Sequence, residues 1–155
     1  MKKLFTTLLA LCLLNTASFS DVKVGIILGF TGPIESLTPD MAAGAELAID
    51  EVNKSNHFSL GKVSAVRADS TCIDSSAATA AAERLITSDK VNGIMGADCS
   101  GVTTAILQQV ALANGVVMIS PSATSPALST VEDNDLFFRT APSDARQGQV
   151  VADIL

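Results

Sequence analysis

The stretch VNGIMGADCSGVTTAILQQVALANGVVMIS, residues 91–120, decides the fold class, because it contains the pattern of a strand, a helix and a second strand. The apolar runs VNGIMG at 91–96 and VVMIS at 116–120 are typical of buried strands. Between them, apolar residues recur at helical spacing: Val102, Ile106, Val110 and Ala113. The pattern therefore predicts a helix over 100–113 that joins two parallel strands.

The same alternation extends in both directions along the chain. We predict further strands over 22–28, 62–68 and 136–140, and helices that begin near Thr38, span 75–87 and start at Ser143. Thr38 is the expected N-cap of the first helix, with Pro39 as its first residue. Unbroken apolar strands between amphipathic helices predict an α/β fold, a doubly wound parallel sheet with helices covering both faces.

The first twenty residues are typical of a secretory signal peptide. Two lysines precede an apolar run over 4–14, and the small-residue stretch NTASFS follows, with cleavage expected after Ser20. The apolar run is shorter than the roughly 20 residues that span a bilayer. Its removal leaves eight basic and sixteen acidic residues, a net charge of −8. Such a charge disfavours nucleic acid and anionic membranes as partners.

Two cysteines remain after the predicted signal peptide, Cys72 and Cys99. Each lies just beyond a predicted strand, so both are expected at the same edge of the sheet. Export to an oxidising compartment makes a disulfide between them reasonable, and two buried free thiols are the alternative.

A loop rich in serine, threonine and proline, residues 120–130, follows the fourth strand. Ligands of open α/β sheets bind beyond the carboxyl ends of the strands. Ser100 is the expected N-cap of the third helix, where free backbone N–H groups favour an anion, and Thr124 lies in the neighbouring loop. Together they could hold a carboxylate without any lysine or arginine. The alternative is that these are ordinary turn and cap residues.

Enzyme and metal chemistry find little support in the sequence. There is no P-loop and no nucleophile elbow. An exported hydrolase would need Ser100 or Ser122 as nucleophile and the only histidine, His57, as base, whereas His57 is expected at a polar surface. A cation site is an alternative use for three loop aspartates, Asp69, Asp74 and Asp98. We expect no catalysis, no cofactor and no metal.

Four motifs carry a family resemblance in their order and spacing: TGPIESLTPDMAAGAELAIDEVN (31–53), GIMGADCSGVTTA (93–105), GVVMISPSATSPALS (115–129) and FFRTAPSDARQGQ (137–149). Together they resemble the periplasmic substrate-binding proteins of type I fold. Most similar are the branched-chain amino acid (leucine, isoleucine and valine) binding components of ABC importers. The resemblance covers nearly all of residues 21–155.

This resemblance implies a protein of two α/β lobes that close on a ligand. Residues 1–20 would be the signal peptide, 21–141 the first segment of the N-terminal lobe, and 142–155 the hinge crossing and the start of the second lobe. It implies non-covalent capture of a small carboxylate, such as an amino acid, by a periplasmic protein that is monomeric at full length. The partner would be the membrane permease of an ABC importer. A receptor ectodomain, or a binder of amides, urea or aromatic acids, remains an alternative.

The resemblance also implies roles for individual residues. Ser100 matches the serine that holds the ligand carboxylate, and Thr124 matches a threonine that contacts both carboxylate and ammonium. The backbone carbonyl of Ser122 would accept from the ammonium, and Asp144 matches an acidic residue near the hinge. The remaining matches are the family's cysteine pair, Cys72 and Cys99, the loop residue Ala123, and Leu37, which stands where several amino acid binders have an aromatic side chain.

Overall fold

A five-stranded parallel sheet with helices between its strands forms the body of the molecule. The structure is a computed structural model that describes residues 21–55, 58 and 61–155. The predicted signal peptide, residues 1–20, and His57 lie outside the described residues. None of the helices in the described part of the chain is both long and apolar enough to cross a membrane.

The strands are β1 (Val22–Leu28), β2 (Val63–Asp69), β3 (Gly93–Gly96), β4 (Val117–Ser120) and β5 (Phe137–Arg139). The helices are α1 (Thr38–Lys54), α2 (Ser75–Thr87), α3 (Ser100–Ile106) and α4 (Asp144–Ile154). Helix α3 continues through a π-helical segment, Leu107–Ala111, into a last turn, Leu112–Asn114, and a 3₁₀ turn spans Pro126–Ser129. Each predicted strand and helix is present, with ends that shift by a few residues at most.

The strand order is β2-β1-β3-β4-β5. The chain therefore runs from β1 to one edge of the sheet and then returns past β1 to build the other edge, which confirms the doubly wound α/β prediction. The direction of building changes between β1 and β3, and ligands of such sheets bind at the carboxyl ends of the strands beside this change.

Side chains of β1 alternate between two hydrophobic clusters. Ile27 lies in the larger cluster, on the sheet face that packs against α2 and α3, while Ile26 and Leu28 lie on the opposite face beneath α1. All three are fully buried. Residues 25–28 of β1 are buried on both faces, which explains why this part of the strand has no polar side chain.

Helices lie on both faces of the sheet, as predicted, but among the described residues they leave part of one face exposed. Helix α1 packs mainly on β1 and β2, and the same face of the sheet is exposed over β4 and β5. There Val117, Ile119 and Phe138 are 38%, 45% and 53% exposed. Met118, on the other face of β4, is fully buried.

Thr38 is not the N-cap that its residue type suggests. Helix α1 begins at Thr38 itself, and the preceding Leu37 makes no side-chain cap. The Thr38 hydroxyl is buried and donates to the carbonyl oxygens of Gly29 (3.1 Å) and Glu35 (3.3 Å). The side chain thus holds the loop after β1 against the helix, because burial requires its hydroxyl to find a partner.

Gly96, at the end of β3, occupies a position that only glycine tolerates. Its φ is +136°, and a Cβ there would overlap the carbonyl oxygen of Ile27. We predict that Gly96→Ala lowers the free energy of unfolding by about 2 to 5 kcal/mol, from backbone strain and overpacking together. Urea unfolding of the full-length protein measures the change.

Gly44→Ala is the matched control, because Gly44 lies within α1 and an added Cβ would meet nothing within 4 Å. Alanine there should raise stability by up to about 1 kcal/mol through helix propensity. Equal stabilities for the two variants would contradict the close approach of β3 to β1.

Candidate ligand-binding site

Four loops meet at the carboxyl edge of the sheet around one buried side chain, that of Asp98, which is 3% exposed. Its carboxylate accepts from the Gly29 amide (2.7 Å), the Ser70 hydroxyl (3.3 Å) and the Cys99 amide (2.9 Å). Its backbone carbonyl accepts from the Ser122 hydroxyl at 3.1 Å. Asp98 therefore joins the loops that follow β1, β2, β3 and β4.

A disulfide between Cys72 and Cys99 joins two of these loops a second time, with an S–S distance of 2.04 Å. The structure therefore has the disulfide rather than two free thiols. Because Cys99 directly precedes Ser100, the covalent bond fixes the start of α3 to the loop that follows β2.

The three loop aspartates do not form a cation site. Asp69 accepts hydrogen bonds from Thr31 and Thr71, and Asp74 caps α2 by accepting from two of its first amides. Partial burial acts to raise the pKa of Asp69, but these hydrogen bonds outweigh it and hold the pKa below its usual value. No group of metal-ligating side chains suited to an ion occurs in the described ranges.

Ser100 and Thr124 lie together at this edge, as the sequence predicts. The Ser100 hydroxyl oxygen accepts from the backbone amides of Thr124 and Ser125, each at 3.1 Å. The predicted N-cap role of Ser100 is wrong, because Cys99 is the N-cap and Ser100 is the first residue of α3. Its side chain instead faces the neighbouring loop, where it can still donate its own proton to an anion.

Asp144 contacts the same threonine from the start of α4. The Thr124 hydroxyl donates to the Asp144 carboxylate at 2.9 Å, and the Asp144 amide donates to the Thr124 carbonyl, also at 2.9 Å. The sequence alone could not predict this contact, because the two residues are twenty positions apart. The resemblance places Asp144 near the hinge, and the structure places it directly beside Thr124.

The segment 139–144 engages the carbonyl groups of the serine-rich loop, residues 120–125. Thr140 donates hydrogen bonds to the carbonyl oxygens of residues 120 and 121. Arg139 donates to those of residues 123 and 125, and the Asp144 amide donates to that of residue 124. None of these bonds reaches the carbonyl of Ser122. Sequence analysis assigns no role to Arg139 or Thr140, because these contacts depend on how β5 ends beside β4.

Two further predicted site residues differ in their surroundings. Ala123 is fully buried, and its amide donates to the Ser120 hydroxyl, so it shapes the loop from inside. Leu37 is 61% exposed just before α1, and no described hydrogen bond joins it to the other site residues. A ligand-binding role for Ser100, Ser122, Ala123, Thr124, Asp144 and Leu37 stays a prediction.

Comparison with known proteins shows which protein family the chain belongs to. A family model described as "Receptor family ligand binding region" matches residues 40–155, and the chain belongs to this family. Among curated relatives, it is 31% identical over 138 residues to the Leu/Ile/Val-binding protein homolog 3 of Brucella melitensis. It is 30% identical over 151 residues to the Leu/Ile/Val-binding protein of Escherichia coli K12.

These alignments cover 89% and 97% of this chain but 36% and 40% of the relatives. The chain thus spans well under half the length of the curated relatives that it matches.

Solved structures agree on the fold. One is the branched-chain amino acid transporter substrate binding protein LivJ from Streptococcus pneumoniae in complex with isoleucine (TM-score 0.72, 28% identity, 81% of this chain and 35% of that chain). Another is an ABC transporter substrate-binding protein from Desulfitobacterium hafniense in complex with Leu (TM-score 0.74, 26% identity, 87% of this chain and 38% of that chain). The chain has the type I periplasmic-binding-protein fold.

The disulfide should contribute strongly to stability because it closes a loop of 27 residues. We predict that replacing both Cys72 and Cys99 by serine lowers the free energy of unfolding by about 3 to 4 kcal/mol. Urea unfolding of the full-length oxidised protein and of the double variant measures this. Intact mass under non-reducing conditions provides the control, since the bonded form lacks two hydrogen atoms. Reactive thiols at both positions in protein kept under oxidising conditions would contradict the pairing.

Proposed function

We propose that this chain supplies part of the first lobe of an exported solute-binding protein that captures an amino acid for an ABC importer. The single observation that carries the proposal is the arrangement of donors and acceptors around Thr124. The Ser100 hydroxyl lies at its backbone amide, and the Asp144 carboxylate lies at its own hydroxyl.

The Ser100 side of Thr124 suits the carboxylate of an amino acid, and the Asp144 side suits its ammonium group. Ser100 has accepted two amide hydrogen bonds and retains its proton for a carboxylate. On the other side, the hydroxyl group of Thr124 donates to the Asp144 carboxylate. The lone pairs of the Thr124 oxygen and the carboxylate oxygens of Asp144 can then accept from an ammonium group. Ser100 and Thr124 are partly exposed, as direct contact with a ligand requires.

The carbonyl pattern of the serine-rich loop supports the same orientation. The segment 139–144 engages the carbonyls of residues 120, 121, 123, 124 and 125 and leaves that of Ser122. The resemblance assigns to this same carbonyl the role of accepting from the ligand ammonium. In this proposal, Ser122 and Asp144 together recognise the ammonium and Ser100 recognises the carboxylate.

A binding role accounts for the serines better than hydrolysis does. The Ser122 hydroxyl donates to the Asp98 carbonyl, and the Ser100 oxygen accepts from two amides. A nucleophilic serine needs a general base at its hydroxyl, and none is among these partners. In this proposal the chain binds its ligand without catalysis and releases it unchanged.

The names of the relatives support the wider assignment. The Escherichia coli relative is a Leu/Ile/Val-binding protein, and two solved relatives hold isoleucine and Leu. We propose a branched-chain or other small amino acid as the ligand, the periplasm as the location and a membrane permease as the partner, with no cofactor. The description of the family as a receptor ligand-binding region favours a sensory ectodomain as the second candidate.

Ligand screening of the full-length protein tests the proposal. A thermal-shift panel of the common amino acids, amides, urea and aromatic acids should raise the melting temperature with an amino acid, since a ligand that binds only the folded state stabilises it. Ser100→Ala and Thr124→Ala should each weaken amino acid binding by about 1 to 3 kcal/mol in calorimetry.

Thr79→Ala is the matched control, because the Thr79 hydroxyl donates only to carbonyls of its own helix α2. It should bind the amino acid as the wild type does. Stabilisation by amides or aromatic acids but by no amino acid would overturn the proposed ligand class. Wild-type affinity in both site variants would remove Ser100 and Thr124 from the site.

A further inference from the structure

The strand β5 ends in a cation, Arg139, whose described side-chain hydrogen bonds all go to the chain between β4 and β5. Its guanidinium donates to the carbonyl oxygens of Ala123 (3.2 Å) and Ser125 (2.8 Å) and to the Ser129 hydroxyl. The side chain is half-buried. A planar guanidinium group is suited to holding this loop in place, because one arginine can donate to several acceptors in a fixed geometry.

The peptide between Ala123 and Thr124 is held at both ends. Its carbonyl oxygen accepts from Arg139, and its N–H donates to the Ser100 hydroxyl. Hydrogen bonds in such a chain polarise one another, so a cation at the carbonyl end strengthens the N–H as a donor. A positive charge at Arg139 is thereby connected to Ser100 through a single peptide group.

We propose that Arg139 is the positioning residue for carboxylate recognition, acting through the Ala123–Thr124 peptide rather than by touching the ligand. This inference rests on the proposed function. It explains how a site whose ligand-facing groups include no lysine or arginine stabilises an anion. The guanidinium orders the loop and polarises the peptide, and Ser100, which accepts from that peptide, presents its proton to the carboxylate.

Two opposite charges, those of Arg139 and Asp144, then lie on different sides of Thr124. Arg139 lies behind its backbone amide, and the Asp144 carboxylate lies at its hydroxyl. The positive side coincides with the proposed carboxylate position and the negative side with the proposed ammonium position. Such complementarity orients a dipolar ligand in one of its two possible directions.

The test compares L-leucine binding by full-length wild type, Arg139→Lys and Arg139→Met, measured by calorimetry where circular dichroism shows every variant to be folded. Met removes the charge and all hydrogen bonds, so affinity should fall about tenfold or more. Lys keeps the charge and one or two bonds, so its loss should be clearly smaller. A residue needed only for folding would leave the affinity of the folded protein unchanged.

Arg84→Met is the matched control, because Arg84 bonds Asp89 and the Arg67 carbonyl, away from the site. It should bind L-leucine as the wild type does. Wild-type affinity in Arg139→Met, or equal losses in the Lys and Met variants, would overturn the inference.

Ser129→Ala keeps the test decisive if Arg139→Met does not fold. It removes one anchor of the guanidinium and leaves its charge, so affinity should fall by a smaller factor, and unchanged affinity would then overturn the inference. Failure of the proposed function looks different, because wild-type protein itself would bind no amino acid, and this inference would fall with it.

Discussion

The buried carboxylate of Asp98 is the contact on which the candidate site depends. Four loops leave the sheet at its carboxyl edge, and each has its own conformational freedom. Asp98 accepts from the loops after β1 and β2, from the amide that follows it, and through its backbone from Ser122. A carboxylate suits this position because it offers two acceptor oxygens to several donors at once. Without it, buried donors would lack partners, which is costly.

Around this contact the site is built in successive layers. The disulfide holds the start of α3, and α3 presents Ser100 to the serine-rich loop. The segment 139–144 then engages that loop from the other side and brings Asp144 to Thr124. In our account the loop that recognises the ligand is thus bonded directly to the segment that would lead into the second lobe. A movement of the loop on ligand binding would then displace the segment 139–144 directly, because the two are joined by hydrogen bonds.

Much of the fold follows from the sequence, because strands buried on both faces and amphipathic helices leave clear patterns. The strand ends also locate the loops, which is why Ser100 and Thr124 could be expected together. Side-chain direction could not be predicted. Thr38 and Ser100 are good cap residues by type, yet each hydroxyl bonds another loop instead. The contacts of Arg139 and Asp98 depend on the register of neighbouring strands, which local sequence does not encode, and exposure of β4 and β5 depends on which strands α1 packs against.

Asp98→Asn provides the most direct measurement of the central claim. The side chains have the same shape, but asparagine replaces one acceptor oxygen with a donor that must face the Gly29, Ser70 or Cys99 donors. We expect the free energy of unfolding of the full-length protein to fall by about 2 kcal/mol or more in urea. If the protein binds amino acids as proposed, its affinity for L-leucine should fall as well. Asp40→Asn, at an exposed aspartate in the first turn of α1, should lower stability by no more than about 1 kcal/mol, the usual value of a negative charge at a helix N-terminus, and should leave the affinity unchanged. Wild-type stability and affinity in Asp98→Asn would contradict the account.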